Sequence, residues 1–458
     1  MKNQRTLWAL AAMASAVTLA ASSAFAAVSA DEAKKLGTTL TPTGAERAGN
    51  ADKSIPDYTG GLTTPPASYV KGSGIRPDPY AAEKPLYSIK PANESQYDDK
   101  LTAGAKEMLK RHPDFRIDVY PSHRSAAFPA WVIANSQKNA TSVQTTDGGL
   151  GLQGTYAGVP FPIPKTGYEV MWNHLLRFTG TTQYTQYDSI NVDSAGHAVL
   201  ATTGQITLDY PYYDPKRTTP SADSDIYFRT KIAYTAPARR AGEELLVQDY
   251  INPMKNGRKA WQYLPGQRRV KMAPDIAYDT PNPGSAGEST YDDAWVFNGA
   301  MDRYDFKLVG KKEMIVPYNA FKLAYAKDPY AATTPGVLNP DFVRWELHRV
   351  WLVEATLKPG KRHIYAKRVF YVDEDSWVAV ASDQYDARGS LYRAGFVYTF
   401  PMYEAATPNA TTQATFDFTT NGYNVAGMLG AYPVGAKLID SLPASQWSSE
   451  ALAGAGIR

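Results

Sequence analysis

The chain has 458 residues, 48 Lys and Arg against 45 Asp and Glu for a formal net charge of +3, and no cysteine. So small a charge excess argues against nucleic acid as a partner and against strong attraction to anionic lipid surfaces, while the lack of cysteine excludes disulfides, covalent haem attachment and thiol catalysis. The excess is aromatic: 31 tyrosines and 9 tryptophans, amphipathic rings that suit sheet surfaces, interfaces or ligand-lined cavities.

In chain order, Lys2 and Arg5 precede an apolar run, Leu7 to Ala21, that ends in the small-residue site Ala24-Phe25-Ala26. This reads as a secretory signal peptide over residues 1–26, with an apolar run too short to span a membrane. Its removal takes away two positive charges and leaves +1. A secreted chain without cysteine points to a bacterial periplasm, with no lipid anchor and no transmembrane segment in the mature part. From 27 to 97, Pro, Gly and Thr dominate without an apolar period, which predicts an extended arm that wraps or tethers.

Asp98-Asp99 opens a predicted helix whose Leu101, Ala105, Met108 and Leu109 share a face and which His112-Pro113 stops. A short strand at 115–120 and a second helix at 126–139, with Pro129 in its first turn, follow. The pattern G-x-G-x-x-G at Gly149, Gly151 and Gly154 runs into Val159-Pro160-Phe161-Pro162-Ile163-Pro164, which cannot begin a helix, so it reads as a flexible loop rather than a nucleotide site. Residues 167–178 place Met171, Leu175 and Phe178 on one side of a helix suited to pack on a sheet.

Strands then take over, at 183–192, 197–208, 226–235, 244–250, 259–264, 268–272 and 304–316, before a four-strand meander over 344–399. Its turns are Lys358-Pro359-Gly360-Lys361, Asp373-Glu374-Asp375-Ser376 and Asp386-Ala387-Arg388-Gly389. Consecutive antiparallel strands with the helices gathered ahead of them predict an α+β fold. One large antiparallel sheet curls into an incomplete barrel whose helices cover an apolar cavity. The body is expected over 98–400, with 401–458 packed on it as a tail of short regular pieces.

If the meander turns close symmetrically, one face carries Arg349, Trp351, Phe370, Arg368, Trp377, Asp383 and Arg393, with Arg393 opposite Asp383 and Arg368 diagonal to it. A one-residue bulge would exchange the faces over one strand. On a cavity wall the three arginines would hold a carboxylate or phosphate headgroup while Trp351, Phe370 and Trp377 cover its apolar part; otherwise the charges form a salt-bridge cluster. Arg258, Lys259, Arg268 and Arg269, around Trp261 and Tyr263, suggest a docking surface for an acidic partner or membrane, or else a solvated strand face. The six histidines show no metal-ligand spacing and no nucleophile elbow is present, so no catalytic residue, metal or cofactor is expected.

Three stretches, WQYLPGQRRV from Trp261 to Val270, WVFNGAMDRYDFKLVGKKEMIVPYN from Trp295 to Asn319, and the segment from Arg344 to Trp377, resemble a Gram-negative family of unknown function described as outer-membrane lipoprotein-sorting-like and related in fold to the carriers LolA and LolB. The resemblance implies an incomplete barrel, a cavity for acyl chains or another hydrophobic molecule in the periplasm, and RND-type transporters and outer-membrane proteins as partners. This chain is much longer than the simple carriers and lacks the lipidated cysteine of LolB-type receptors. The expected function is a non-catalytic periplasmic carrier for a lipid or other hydrophobic molecule; the alternative is an adaptor or scaffold of an envelope complex that holds no ligand.

Overall fold

Period-two alternation builds most of this chain into strands, and eighteen are present among the described residues of the computed structural model, which are 27–274 and 276–455. The signal peptide read at 1–26 lies outside them. The first four strands are β1 (Tyr87–Ile89), β2 (Ile117–Val119), β3 (Gln144–Thr146) and β4 (Gly151–Gln153). The next six are β5 (Thr182–Val192), β6 (Ala198–Asp209), β7 (Ile226–Ala236), β8 (Glu244–Tyr250), β9 (Lys259–Leu264) and β10 (Arg269–Met272). The last eight are β11 (Tyr304–Pro317), β12 (Trp345–Leu357), β13 (Lys367–Asp373), β14 (Ala379–Tyr385), β15 (Leu391–Met402), β16 (Thr407–Asp417), β17 (Gly422–Met428) and β18 (Ala436–Leu438).

Strands β3 and β4 form a separate hairpin, and the other sixteen make one sheet. Its order is β1-β2-β12-β13-β14-β15-β16-β17-β5-β6-β7-β8-β9-β10, with β11 beside β12 and β18 beside β5. Only the one-residue contact of β2 with β12 is parallel. The two ends of this order do not pair with each other, so the fold is α+β with a large open antiparallel sheet.

The helices include α1 (Ala30–Ala33), α2 (Ala103–Arg111), α3 (Ala130–Ser142) and α4 (Gly167–Leu175). Thr166 caps α4, accepting the Glu169 amide, and every residue of the helix except Tyr168 is buried. Trp172 meets Tyr227 of β7 edge-on at 6.0 Å, while Tyr168 meets Phe306 of β11 at 5.2 Å. One helix therefore touches strands from both halves of the sheet, which curls around it. His174 of α4 accepts the Ala379 amide on Nδ1 at 2.9 Å, so its Nε2 carries the proton given to the Phe297 carbonyl. Burial drives the pKa of this imidazole well down and keeps it neutral.

Helix α2 begins at Thr102, whose hydroxyl accepts the Ala105 amide, rather than at Asp98-Asp99, which lie in a preceding 3-10 turn. It docks end-on. Asp383 of β14 accepts the amides of Ala103 and Gly104 at 2.9 and 2.7 Å and the Tyr371 hydroxyl at 2.8 Å. A Cβ on Gly104 would stand 2.3 Å from that of Ala394, so only glycine permits this approach. Asp383→Ala strips three donors of their acceptor in a dry site. We expect a loss of about 2–3 kcal/mol in a urea titration, with the slope of the transition unchanged.

The arm forms few regular elements and lies along the body, with Val28, Leu62 and Leu86 donating backbone bonds to Ala140, Ser125 and Val119. Residues 401–458 are more than the expected tail of short regular pieces packed on the body. Strands β16 and β17 sit in mid-sheet between β15 and β5 and join its two halves. Their Thr, Asn and Gly content conceals strand alternation, because on one face they carry the polar Thr411, Gln413 and Asn424.

Candidate functional site

Register turns the alternation of four neighbouring strands into rows. Ile206 of β6, Ile232 of β7 and Leu245 of β8 stand side by side, and Leu208, Thr230 and Val247 form the next row. Tyr187 and Ser189 of β5, Gln413 of β16 and Ala426 of β17 extend the floor to the other half of the sheet. Over it runs the segment 276–298, which contributes Ser285, Tyr291 and Trp295 as a roof. The space between holds about 120 Å³. That is somewhat less than the roughly 150 Å³ of an engineered apolar cavity that admits benzene. As roofed here it takes only a small part of an acyl chain.

The roof is fastened at both of its ends, most heavily at 290–298. The Thr290 amide and hydroxyl bind the Asp293 carboxylate in a capping box. Arg368 spans the acid pair, giving Nη1 to Asp292 at 2.8 Å and Nη2 to Asp293 at 2.9 Å and to the Val296 carbonyl at 3.0 Å. His363 adds a bond to Asp292, and Tyr365 and Gln384 add two to Asp293. Burial raises the pKa of Asp292, but Arg368 and His363 outweigh it and hold the carboxyl well below the usual range. Arg258 ties the two ends together by donating to the Asn298 and Ile276 carbonyls, and Arg303 and the Ile364 amide hold Asp279. The tip is held more lightly, by Asn191 to the Ser285 carbonyl at 2.8 Å. Between bolt and cavity, Trp295 and Val296 both have left-handed backbone, φ 52° and 72°, an unfavourable pair for non-glycine residues.

Of the sequence-predicted site residues Arg258 alone lines this cavity, and the others lie elsewhere. Up to Val372 the meander faces are as expected, but the pairing is shifted: Trp351 stands opposite Val372 rather than Arg368, and Val353 opposite Phe370 rather than Ala366. An unpaired Val380 then bulges out of β14 and exchanges its faces, and a second irregularity at Tyr392 of β15 sets Arg393 opposite Gln384 and not Asp383. Arg368, Phe370 and Arg393 thus end up behind the roof: Arg368 is wholly buried against Asp292, Asp293 and the rings of Phe297, Tyr365 and Phe370, and Arg393 binds Asp417 and Tyr365. Their charges are already matched, which leaves nothing for a headgroup. Asp383 points the other way, to α2.

Arg349, Trp351 and Trp377 form the seat of the arm instead. Trp377 stacks near Trp351 at 6.3 Å and donates to the Thr43 carbonyl, and Arg349 donates to the Ala48 carbonyl. Beside them Arg124 grips Asp375 through two nitrogens, and Lys311 bridges Glu46 and Glu374. His348, Asp373 and Asp375 offer donor atoms within 4.8 Å of one another, the one such triad among the described residues. Since Arg124 already neutralises Asp375, the negative charge left over is small for a divalent cation. Of the four basic residues read as a docking surface, Arg258 is internal, paired with Asp249 and 8% exposed in its side chain. Lys259, Arg268 and Arg269 are exposed on the β9–β10 hairpin at an open end of the sheet, where charge guards an unpaired edge.

Sequence reading passed over Arg177. It follows α4, is 3% exposed, donates Nη1 to the His174 carbonyl at 2.8 Å, and lies 5.4 Å from the centre of the Trp295 ring. Its Nε has no partner, and no carboxylate of the described residues lies within 4.0 Å. A helix C-terminus and one ring face offset about 1–3 kcal/mol. Burying an uncompensated guanidinium costs several kcal/mol, so a charge deficit remains.

A model of the family described as "Protein of unknown function (DUF1329)" matches residues 88–453. The chain belongs to that family. A relative from Pseudomonas aeruginosa, "Uncharacterized protein PA3922", is 43% identical over 455 residues, covering 97% of each chain. Among solved structures, a putative outer membrane lipoprotein-sorting protein domain from Vibrio parahaemolyticus is similar with 14% identity and a TM-score of 0.43, over 62% of this chain and 97% of that one. A DUF1329 family protein from Desulfovibrio piger gives 15% and 0.42 over 62% and 97%, and a LolA superfamily protein from Nitrosomonas europaea 11% and 0.38 over 63% and 100%. Among the described residues, no helix is long and apolar enough to cross a membrane.

Proposed function

We propose that this DUF1329 protein is a non-catalytic periplasmic binding protein. It shelters the apolar chain of a lipid or other hydrophobic molecule between the sheet floor and the 276–298 roof and passes it between envelope components. The observation that supports the reading best is the pair of apolar rows, Ile206-Ile232-Leu245 and Leu208-Thr230-Val247, beneath a roof bolted at 290–298 and lightly held at its tip. A structural core needs no such asymmetry. A carrier does, because a cavity of about 120 Å³ admits a long chain only when the tip lifts. Apolar burial at about 25 cal/mol per Å² then supplies the affinity without a strong polar contact.

The second reading, an adaptor without a ligand, is favoured by the extent to which α4 already fills the curled sheet. Native mass spectrometry on protein taken from its own periplasm without detergent separates the two. A stoichiometric hydrophobic adduct supports the carrier. A clean apo mass, together with no uptake of an environment-sensitive fatty-acid probe, would turn the choice to the adaptor. RND-type transporters and outer-membrane proteins are the partners proposed for either role, to be sought by crosslinking in intact cells.

A further inference from the structure

We propose that Arg177 is the anion-binding end of the cavity, so that the cargo is an amphiphile with a negatively charged oxygen headgroup, its chain lying along the Ile206-Ile232-Leu245 floor. This rests on the carrier reading and narrows it to a ligand class. Eight arginines are buried among the described residues. Seven hold a carboxylate, as Arg368 holds Asp292 and Asp293, Arg393 holds Asp417 and Arg76 holds Glu404. Arg177 alone has none, and its Nε is left without a partner. In a chain that otherwise matches its buried cations so consistently, the exception marks where charge is to come from outside.

Its position fits that role. Its guanidinium lies over the Trp295 ring, and Trp295 is also a wall of the cavity. The ring is thus a shutter between guanidinium and cavity, carried on the left-handed Trp295–Val296 backbone next to the Arg368 bolt. When the shutter turns, the planar fork of Arg177 can take a carboxylate or phosphate through two N–H donors. Phe228, edge-on to Trp295 at 5.8 Å, gives the displaced indole an apolar neighbour.

The test compares a fluorescent long-chain carboxylic acid with its methyl ester, and a lysophosphatidic acid as competitor, on the full mature protein. Wild type should bind the acid at least tenfold more tightly than the ester. Arg177→Gln should remove that preference and leave ester affinity unchanged, and Arg177→Lys should restore part of it. Displacement of the acid by lysophosphatidic acid would identify the source as a phospholipid-type headgroup, and failure to displace it a free carboxylate. Equal affinity for acid and ester in wild type overturns the headgroup assignment while the carrier reading survives. That comparison needs no variant, so a misfolded Arg177→Gln cannot obscure it. Binding of neither probe overturns both.

Discussion

Replacing Arg368 by methionine is expected to lower the stability of the fold by about 3–5 kcal/mol, because Asp292 and Asp293 are then left as uncompensated buried charges. The pH dependence should change sign as well. In wild type the Asp292 pKa is depressed, so its contribution is present above the unfolded value of about 4 and is lost as pH falls below it. Without Arg368, burial dominates and raises that pKa, so the variant should gain stability as pH falls from 7 towards 4.5. Urea midpoints at the two pH values read this directly. A headgroup ligand at Arg368 would behave differently, with weaker probe binding and an almost unchanged midpoint.

The second large effect concerns the cavity itself. Ala426 of β17 is half-buried and lines the floor where the two halves of the sheet meet. Ala426→Phe should direct its ring into the space under the roof, with little cost to folding because the void accepts it. We expect at least a tenfold loss of fatty-acid probe affinity, about 1.4 kcal/mol or more, with a urea midpoint close to wild type. Unchanged uptake by a folded Ala426→Phe protein would mean that the hydrophobe sits elsewhere. The wider cleft of about 710 Å³ between the arm and Arg344 would then be the next place to look.

Strand positions were legible because turn chemistry and period-two patterns are local: β5 to β11 appear within two residues of where the sequence places them. The site was not, for three physical reasons. A bulge at Val380 leaves no compositional mark, yet it moves Asp383 to the opposite face and puts Gln384 in its place against Asp293. The Asp292-Asp293 pair reads as an ordinary loop, since its partner Arg368 lies far along the chain. Arg177 looks like a routine cation at a helix C-terminus. Only burial without a carboxylate sets it apart, and burial is a property of the assembled sheet. The Thr-rich β16 and the short, Gly-flanked β17 were missed because period-two reasoning weighs apolar residues, and their cavity-facing positions carry few.

The mid-sheet position of β16 and β17 also bears on how the chain reaches this state. Strand β5 finds its neighbour β17 only after some 230 further residues have been made, Asn191 meeting Asn424. Until then β5 and β15 each present an unpaired edge, and the loop that must close is long. Folding should therefore be slow and limited by this late, distant pairing rather than by the local hairpins. A chain cut after residue 400 would keep its meander and its β5–β10 hairpins but have no seam between them. On the periplasmic reading proposed above the chain crosses a membrane unfolded, and that delay is then useful, since no stable half forms before the C-terminal part arrives. Its cost is a period with two sticky edges, when a holding chaperone has most to offer.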